Sequence, residues 1–541
     1  MNFFKKNFFR PEIIIFAITF ALVLSFALYT SHAWEDYYIT FRVANNLAEG
    51  NGLVFTVGER VHAFTSPFAV LTLGFLSFIM PSDESVLWAF RVFSAAALSA
   101  AAVFMYKFGR QGKFSLLPLL LLVFVPILDA KTVDFAINGM EAGLMIFFLS
   151  LTLYLMTIPA ERSLFWKLGL AWTGLMWVRP DGFIYIGGLI LGFLLFFRAG
   201  HFGFETRTKL ALCYLKAAVV CAIIYAPWIV WAFIYYGTPV PHTIVAKGLM
   251  MEGIGDLIGR LFLYPARFAT HGPLVFLPSY YREFGGWPSS LGLFGFLMTV
   301  LAAFYWLLPF AQVQARAVSL AFFLGHMYLV SIVPFLYPWY LPALAFLGFF
   351  VFAHIIQRVL EVSFRSPVLS MSIKILAVAV VIVELGITLA SAYQLRIQQR
   401  VIENDTRKRA GLWLAENAKK DDTVFLEPLG YIGFYSNLKM YDYLGLSSPE
   451  VIAARREFDG QSQGILLALI DTLRPEWLVL RPGEIYRFGL ADKDLLEKKY
   501  FLAAVFDSSK QVKSYRFLPG RGYLEYDQTF VIFRKADIAD L

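Results

Sequence analysis

The sequence predicts a polytopic α-helical membrane protein that ends in a small α/β domain. Of its 541 residues, 58% are hydrophobic and 16% are charged, whereas an average soluble domain carries about 25% charged residues. The hydrophobic residues gather in about twelve segments that are separated by short loops. From Arg396 onward the chain is polar, and short strand-like and helix-like patterns alternate.

The apolar segments are candidates for membrane helices, and the distribution of positive charge decides which of them cross. If segment 66–80 spans, Lys107 and Arg110 face outward; if it lies in the outer interface, they fall inside together with Lys5 and Lys6. The positive-inside rule favours the second arrangement, which has about eleven spans, the N-terminus inside and the C-terminus outside. The segments are residues 13–30, 66–80, 86–106, 114–129, 139–157, 165–178, 183–197, 210–236, 290–309, 317–335, 339–356 and 373–393.

The polar tail predicts a separate α/β domain of about 140 residues on the outer side. Helical patterns occur around Thr406 to Asn417 and Gly464 to Leu473. The predicted strands are Thr423–Leu426, Trp477–Leu480, Leu502–Phe506 and Phe530–Phe533.

Charge and cysteine content limit the partners and cofactors. The net charge of +8 comes from basic residues scattered through short loops, so the expected partner is the lipid bilayer and not nucleic acid. Cys213 and Cys221 lie in one apolar segment and match no metal or redox motif. The HExxH zinc motif is absent, and no cofactor is expected.

Glu35 and Asp36 are the first candidates for chemistry. They follow the first apolar segment closely, where ionised carboxylates are costly because they lose hydration. Such a pair suits binding or proton transfer. The alternative is that both residues cap a helix, since carboxylates stabilise helix N-termini.

Further polar residues fall on the predicted outer face. Arg179 and Asp181 form a turn between two apolar segments, and His242 and Lys247 lie in a long outer loop. Several outer connections with polar groups indicate one shared cavity. The alternatives are a local ion pair at the turn, ordinary loop residues, and an interfacial role for Glu141 and similar groups.

The run EDYYITFRVANNLAEGNGLVFTVGERVHAFTSP, residues 35–67, resembles the first outer loop of polyprenyl-phosphate-sugar-dependent glycosyltransferases of the GT-C superfamily. The nearest group is that of the terminal arabinofuranosyltransferases. Further matches follow in order: NGMEAGL from Asn138, RPDG from Arg179, PHTIVAK from Pro241 and GYIGFYSNLKMYDYLGLSSPEV from Gly430. The chain departs from the family at Tyr337, where Arg precedes Tyr in the relatives, and at Glu35, where Asp is more usual.

The resemblance implies sugar transfer from a polyprenyl-phosphate donor to a glycan or lipid-glycan acceptor. In this interpretation Asp36 is the general base and Glu35 supports it. The leaving phosphate needs positive charge, which Arg179 and Lys247 would supply first and Arg42 and His242 next. The other predicted substrate-binding residues are Glu141, Asp181, Asn45 and Tyr38. A divalent ion that bridges Glu35, Asp36 and the phosphate is the alternative to a metal-free site.

The predicted organisation is a transmembrane glycosyltransferase domain over residues 1–395, with outer loops 31–85 and 237–289, and an extracytoplasmic domain over 396–541. The expected location is the bacterial cytoplasmic membrane, with the active site on the periplasmic side. Two other function classes fit the composition: a transporter or flippase for a lipid-linked glycan, and a non-catalytic protein of envelope assembly or motility. Neither class needs the acidic pair in an outer loop.

Overall fold

The computed structural model describes residues 10–248, 253–309, 311–333, 335–362, 367–458, 464–487 and 499–536. They form a bundle of apolar helices followed by a five-stranded sheet with its own helices. Lys5 and Lys6, on which part of the predicted orientation depends, lie outside the described residues.

The helical part begins with α1 (Pro11–Thr30) and α2 (Glu35–Ala48). A π-helical segment, Gln399–Lys408, and α18 (Arg409–Asn417) extend the last helix of this part into the sheet domain. The helices between are α3 (Pro67–Ile79), α4 (Asp83–Gln111), α5 (Leu116–Leu128), α6 (Ala130–Ile137), α7 (Ala142–Thr157), α8 (Leu164–Val178), α9 (Gly182–Leu195), α10 (Arg207–Tyr236), α11 (His242–Ala246), α12 (Ile254–Phe262), α13 (Tyr264–His271), α14 (Leu291–Phe304), α15 (Val313–Ser331), α16 (Pro342–Val362) and α17 (Pro367–Gln398).

Helix length and composition confirm a multi-pass membrane protein. Six of the described helices are long and apolar enough to span a membrane, and the pair α5 and α6, bent by 46°, makes a seventh candidate. Shorter apolar helices include α3, α7 and α9. The count of about eleven spans and the orientation stay predictions.

Helix α3 corresponds to the segment on which the predicted topology depends. Ser66 caps it by accepting a hydrogen bond from the Ala69 N–H, and Pro67 occupies its first turn. Its 13 residues extend only about 20 Å, because each residue rises 1.5 Å, and the hydrocarbon core is about 30 Å thick. Helices α9 and α14, which the predicted topology counts as spans, are similarly short at 14 residues each, so helix length does not decide whether segment 66–80 spans or lies in the interface.

The C-terminal part contains one sheet with the strand order β2-β1-β3-β5-β4. Strands β1, β2 and β3 run parallel, whereas β4 and β5 are antiparallel to their neighbours. The strands are β1 (Thr423–Leu426), β2 (Lys439–Asp442), β3 (Trp477–Leu480), β4 (Tyr500–Asp507) and β5 (Thr529–Lys535), and the helices are α19 (Leu429–Ser436), α20 (Pro449–Glu457), α21 (Ile465–Leu473), α22 (Pro482–Arg487), α23 (Ser509–Ser514) and α24 (Arg521–Asp527). The four predicted strands are thus present, and β2 is an additional one.

The sheet domain is fixed to α2, the helix that follows the first apolar helix of the bundle. The guanidinium of Arg42 donates hydrogen bonds to the carbonyls of Gly433 (2.7 Å) and Leu438 (2.9 Å) and lies over the Phe55 ring. Gly430 lies so close to α2 that an added β-carbon would collide with the Glu35 carbonyl. The predicted domain boundary after residue 395 falls inside α17, which runs from the bundle into the domain.

Candidate active site

A cavity of about 920 Å³ lies where α2, connections between the bundle helices and the sheet domain meet. Glu35 and Asp36 line one side of it, and Lys247, which follows α11, contributes from the connection between α10 and α14. Tyr337 and Trp339 belong to an aromatic wall that lines another part of the cavity. A space of this size accommodates a sugar and part of a second substrate.

The sheet domain contributes the residues that directly follow its parallel strands. Glu427 follows β1, Tyr443 follows β2 and Arg481 follows β3, and all three line the cavity. In open α/β sheets, ligands bind outside the carboxyl ends of parallel strands. Here that edge of the sheet faces the acidic pair of α2.

Asp36 directs its carboxylate into the cavity. Among the described residues, no donor lies within hydrogen-bonding distance of this carboxylate, and only the backbone carbonyl of Asp36 accepts a bond, from Thr40 Oγ1. Burial raises the pKa of Asp36, Lys247 opposes this effect, and Glu141 and Glu427 add to it. A carboxylate with a raised pKa and free lone pairs is suited to accept a proton from a substrate.

Glu35 is held mainly through one carboxylate oxygen, Oε1, since Oε2 has no hydrogen-bond partner among the described residues. Its carboxylate accepts hydrogen bonds from the backbone N–H groups of Gly430 and Tyr431 (3.2 Å for Tyr431) and forms an ion pair with Arg407 at 3.4 Å. These N–H groups belong to the first turn of α19, where a negative charge is favourable. Burial raises the pKa of Glu35 to about 8, although Arg407 works against the shift. Glu35 therefore joins α2 to the sheet domain.

Two buried arginines continue this network along the cavity wall. Asp527 accepts hydrogen bonds from both Arg407 and Arg481, each at 2.5 Å. Arg481 also pairs with Glu427 at 2.6 Å. Sequence reasoning missed these residues, because the partners are 120 and 46 residues apart and no local motif joins them.

Lys247 lies between the cavity and the aromatic wall. Its ammonium group is 4.7 Å from the centre of the Tyr337 ring and 5.4 Å from that of Trp339. Within the described ranges of the chain, no carboxylate is close enough to form an ion pair with it. Its charge is therefore available for an anion.

Arg179, Glu141 and Asp181 form a separate cluster. Arg179 pairs with Glu141 and with Asp181, both at 2.9 Å, and it lies over the ring of Tyr340. All three side chains are at most 15% exposed. They line a small neighbouring cavity that shares Met140 and Trp339 with the large one. The contact between Arg179 and Asp181 is the local ion pair that the sequence analysis gave as the alternative to a phosphate-binding role.

The other predicted site residues make contacts elsewhere. Arg42 fixes the sheet domain, Tyr38 shares a hydrogen bond with Tyr435 at 3.3 Å, and Asn45 bonds to a serine of α3 and an aspartate of α4. The backbone of His242 donates to the His62 carbonyl. None of the four is among the residues that line the large cavity, and their predicted roles stay predictions.

The described residues contain no group of three or more His, Cys, Asp or Glu side chains that could hold a metal ion. Glu35 and Asp36, the pair predicted to bridge a divalent ion, have different surroundings. Glu35 is engaged by Arg407 and the α19 backbone, whereas Asp36 faces open space.

Structural similarity identifies the architecture. An oligosaccharyltransferase, AglB from Archaeoglobus fulgidus in complex with an inhibitory peptide and a dolichol-phosphate, aligns with a TM-score of 0.54 and 14% identity over 93% of this chain and 74% of its own. ArnT from Cupriavidus metallidurans bound to undecaprenyl phosphate aligns with a TM-score of 0.53 and 12% identity over 96% and 97%. The chain has the GT-C fold.

Sequence similarity agrees with this GT-C assignment. The terminal β-(1→2)-arabinofuranosyltransferase of Corynebacterium glutamicum is 29% identical over 237 residues, which are 39% of this chain and 32% of that protein. The enzyme of the same name from Mycobacterium tuberculosis is 26% identical over 258 residues, 43% and 37% of the two chains. The matched region is thus about a third of the length of these relatives. A model described as a domain of unknown function, DUF8728, matches residues 393–531. The predicted resemblance to the GT-C superfamily is confirmed.

Proposed function

We propose that this GT-C protein transfers a sugar from a polyprenyl-phosphate donor to a glycan or other cell-envelope acceptor on the outer side of the bacterial cytoplasmic membrane. Asp36 is the general base. The observation that carries this proposal is the pairing, in one cavity, of an unbonded carboxylate, Asp36, with an unpaired cation, Lys247.

The reaction assigns each group a task. The acceptor hydroxyl attacks the anomeric carbon of the donor, and its proton passes to the Asp36 carboxylate as the new glycosidic bond forms. The bond between the anomeric carbon and the phosphate oxygen breaks, and the polyprenyl phosphate leaves with both electrons. Lys247 stabilises the charge that develops on this phosphate. Glu35 orients α2 through its bonds to α19.

The two ends of the cavity suit different substrates. Lys247 and the aromatic wall lie towards the helices, where a lipid-linked phosphate arrives. Tyr443, Glu427 and Tyr526 lie on the side of the sheet domain. Tyrosine rings and carboxylates suit a hydroxyl-rich acceptor, because rings stack on sugars and carboxylates accept hydrogen bonds from hydroxyls.

The test is turnover of a polyprenyl-phosphate sugar by purified protein in nanodiscs. Release of polyprenyl phosphate, followed by mass spectrometry, together with the gain of one sugar on an envelope glycan, is the expected result. We also propose that no metal ion is needed, so that activity persists in EDTA. Loss of activity in EDTA with recovery on Mg²⁺ or Mn²⁺ would instead favour an ion bridging the acidic pair and the phosphate.

A further inference from the structure

Helix α12 has one fully apolar face that no described part of the chain covers. Ile254, Ile258 and Phe262 are 77%, 61% and 85% exposed. Their spacing of four residues places them on the same side of the helix. Gly255 and Gly259 lie between them, and an added β-carbon at either would meet nothing within 4 Å.

The opposite face of α12 is polar and anchored. Arg260 pairs with Asp256 at 2.8 Å and donates a hydrogen bond to the carbonyl of Ile332 at 2.9 Å. In the next helix, α13, Arg267 donates to the carbonyls of Val330 (3.1 Å) and Ser331 (2.8 Å). The two arginines therefore satisfy the carbonyls of the last two residues of α15 and of Ile332, which caps the helix.

This anchoring fixes the level of α12 relative to the membrane. Helix α15 is one of the six helices long and apolar enough to span, and its end is where the arginines bind. Helix ends of this kind lie at the boundary between hydrocarbon and headgroups.

We infer that α12 is an interfacial helix that lies along the outer leaflet, with Ile254, Ile258 and Phe262 among the acyl chains. The arrangement is that of a membrane-surface amphipathic helix, with an apolar stripe on one side and a charged pair on the other. Phe335, three residues beyond the Ile332 carbonyl that Arg260 holds, lines the large cavity and is 45% exposed. The segment that Arg260 contacts therefore also supplies a residue to the cavity lining.

Fluorescence quenching tests the position of α12. In a chain with Cys213 and Cys221 replaced by Ala, a bimane probe is attached to Ile258→Cys or Phe262→Cys in nanodiscs. Lipids that carry a nitroxide near the headgroup should quench both probes by about half or more, and aqueous iodide should have little effect. The matched control is Leu502→Cys, an apolar residue that is 59% exposed on the edge strand β4; it should respond to iodide and not to the lipid.

The other outcomes overturn the assignment. Quenching of the α12 probes by iodide alone would place the helix in water. Protection from both quenchers would show that another protein surface, such as a second copy of the chain, covers the face. Equal lipid quenching at position 502 would remove the specificity for α12. Elution of each variant as a single peak in gel filtration establishes that the labelled protein is folded.

Discussion

The carboxylate of Glu35 accepts a hydrogen bond from the backbone N–H of Gly430, 395 residues further along the chain. Glu35 thereby holds the sheet domain against α2. The neighbouring residue, Asp36, lines the cavity instead. Two adjacent carboxylates acquire different tasks because only one of them meets the N-terminus of α19.

The close approach at Gly430 predicts that this position tolerates no side chain. In Gly430→Ala the new β-carbon would collide with the Glu35 carbonyl, so α19 must move away from α2. We expect turnover to fall at least about tenfold, as for other displaced catalytic groups. Gly483→Ala is the matched control, because Gly483 also lines the cavity but an added β-carbon there meets nothing within 4 Å. Equal activity of the two variants would contradict the positioning role of this contact.

The raised pKa of Glu35 predicts a pH-dependent stability. Since burial raises the pKa of Glu35 from 4.5 to about 8, the folded state retains a proton that the unfolded state loses, so its contribution to stability is complete below pH 4.5 and declines as pH rises towards 8. Glu35→Gln cannot titrate. We expect the Tm of the wild type to fall relative to that of Glu35→Gln between pH 5 and pH 9. Parallel Tm curves would show that Glu35 ionises normally.

The sequence predicted the elements better than the contacts between them. The strands at Val424 and Leu478 follow from runs of branched and aromatic residues, and the sheet has both. β2 was missed because Lys439 and Asp442 interrupt its apolar pattern. The place of Arg407 in the site depends on partners more than a hundred residues away, and a local pattern carries no information about such a pairing.

A local sequence pattern also could not distinguish between the two main candidates for binding the donor phosphate. Arg179 and Lys247 look equivalent in the sequence, since each is a cation next to an apolar segment. Only the fold reveals that two carboxylates hold Arg179, while Lys247 contacts aromatic rings. The acidic pair was found because its chemistry is local, with both carboxylates beside a membrane span.

Different consequences are therefore expected for these two cations. Lys247→Ala should weaken binding of the lipid-linked donor about tenfold or more, because a charge-assisted hydrogen bond contributes roughly 1.5–3 kcal/mol. Lys247→Arg, which keeps the charge, should restore most of the affinity. Binding to a fluorescent polyprenyl-phosphate sugar is the measurement. Unchanged affinity in Lys247→Ala would remove this residue from the donor site.

Arg179→Ala should act mainly on stability. The substitution leaves Glu141 and Asp181 as buried, uncompensated charges, and breaking such a pair typically costs about 3–5 kcal/mol. We expect a lower Tm than that of Lys247→Ala, and partial recovery in the double variant Arg179→Ala with Glu141→Gln. A normal Tm with lost donor affinity would instead support the direct phosphate contact predicted from the sequence.

The orientation of the chain predicts which positions reagents reach from outside. A cysteine at Asp421, exposed in the loop before β1, should react with an impermeant maleimide in intact cells. One at Gln111, exposed at the end of α4, should react only after the membrane is permeabilised. Labelling of both positions from the same side would disprove the arrangement of about eleven spans with the sheet domain outside.

The assignment of the base is tested by comparing the two carboxylates of α2. Asp36→Asn keeps the size of the side chain but cannot accept a proton at neutral pH, so turnover should fall by roughly 10²–10⁴ while donor binding and Tm are retained. Glu35→Gln should lose less, because an amide oxygen still accepts from the N–H groups of Gly430 and Tyr431. If Asp36 were only a helix cap, Asn would replace it well and turnover would be nearly normal. An inactive Glu35→Gln beside an active Asp36→Asn would make Glu35 the base, and the bonds that hold it to α19 would then have to open during each catalytic cycle.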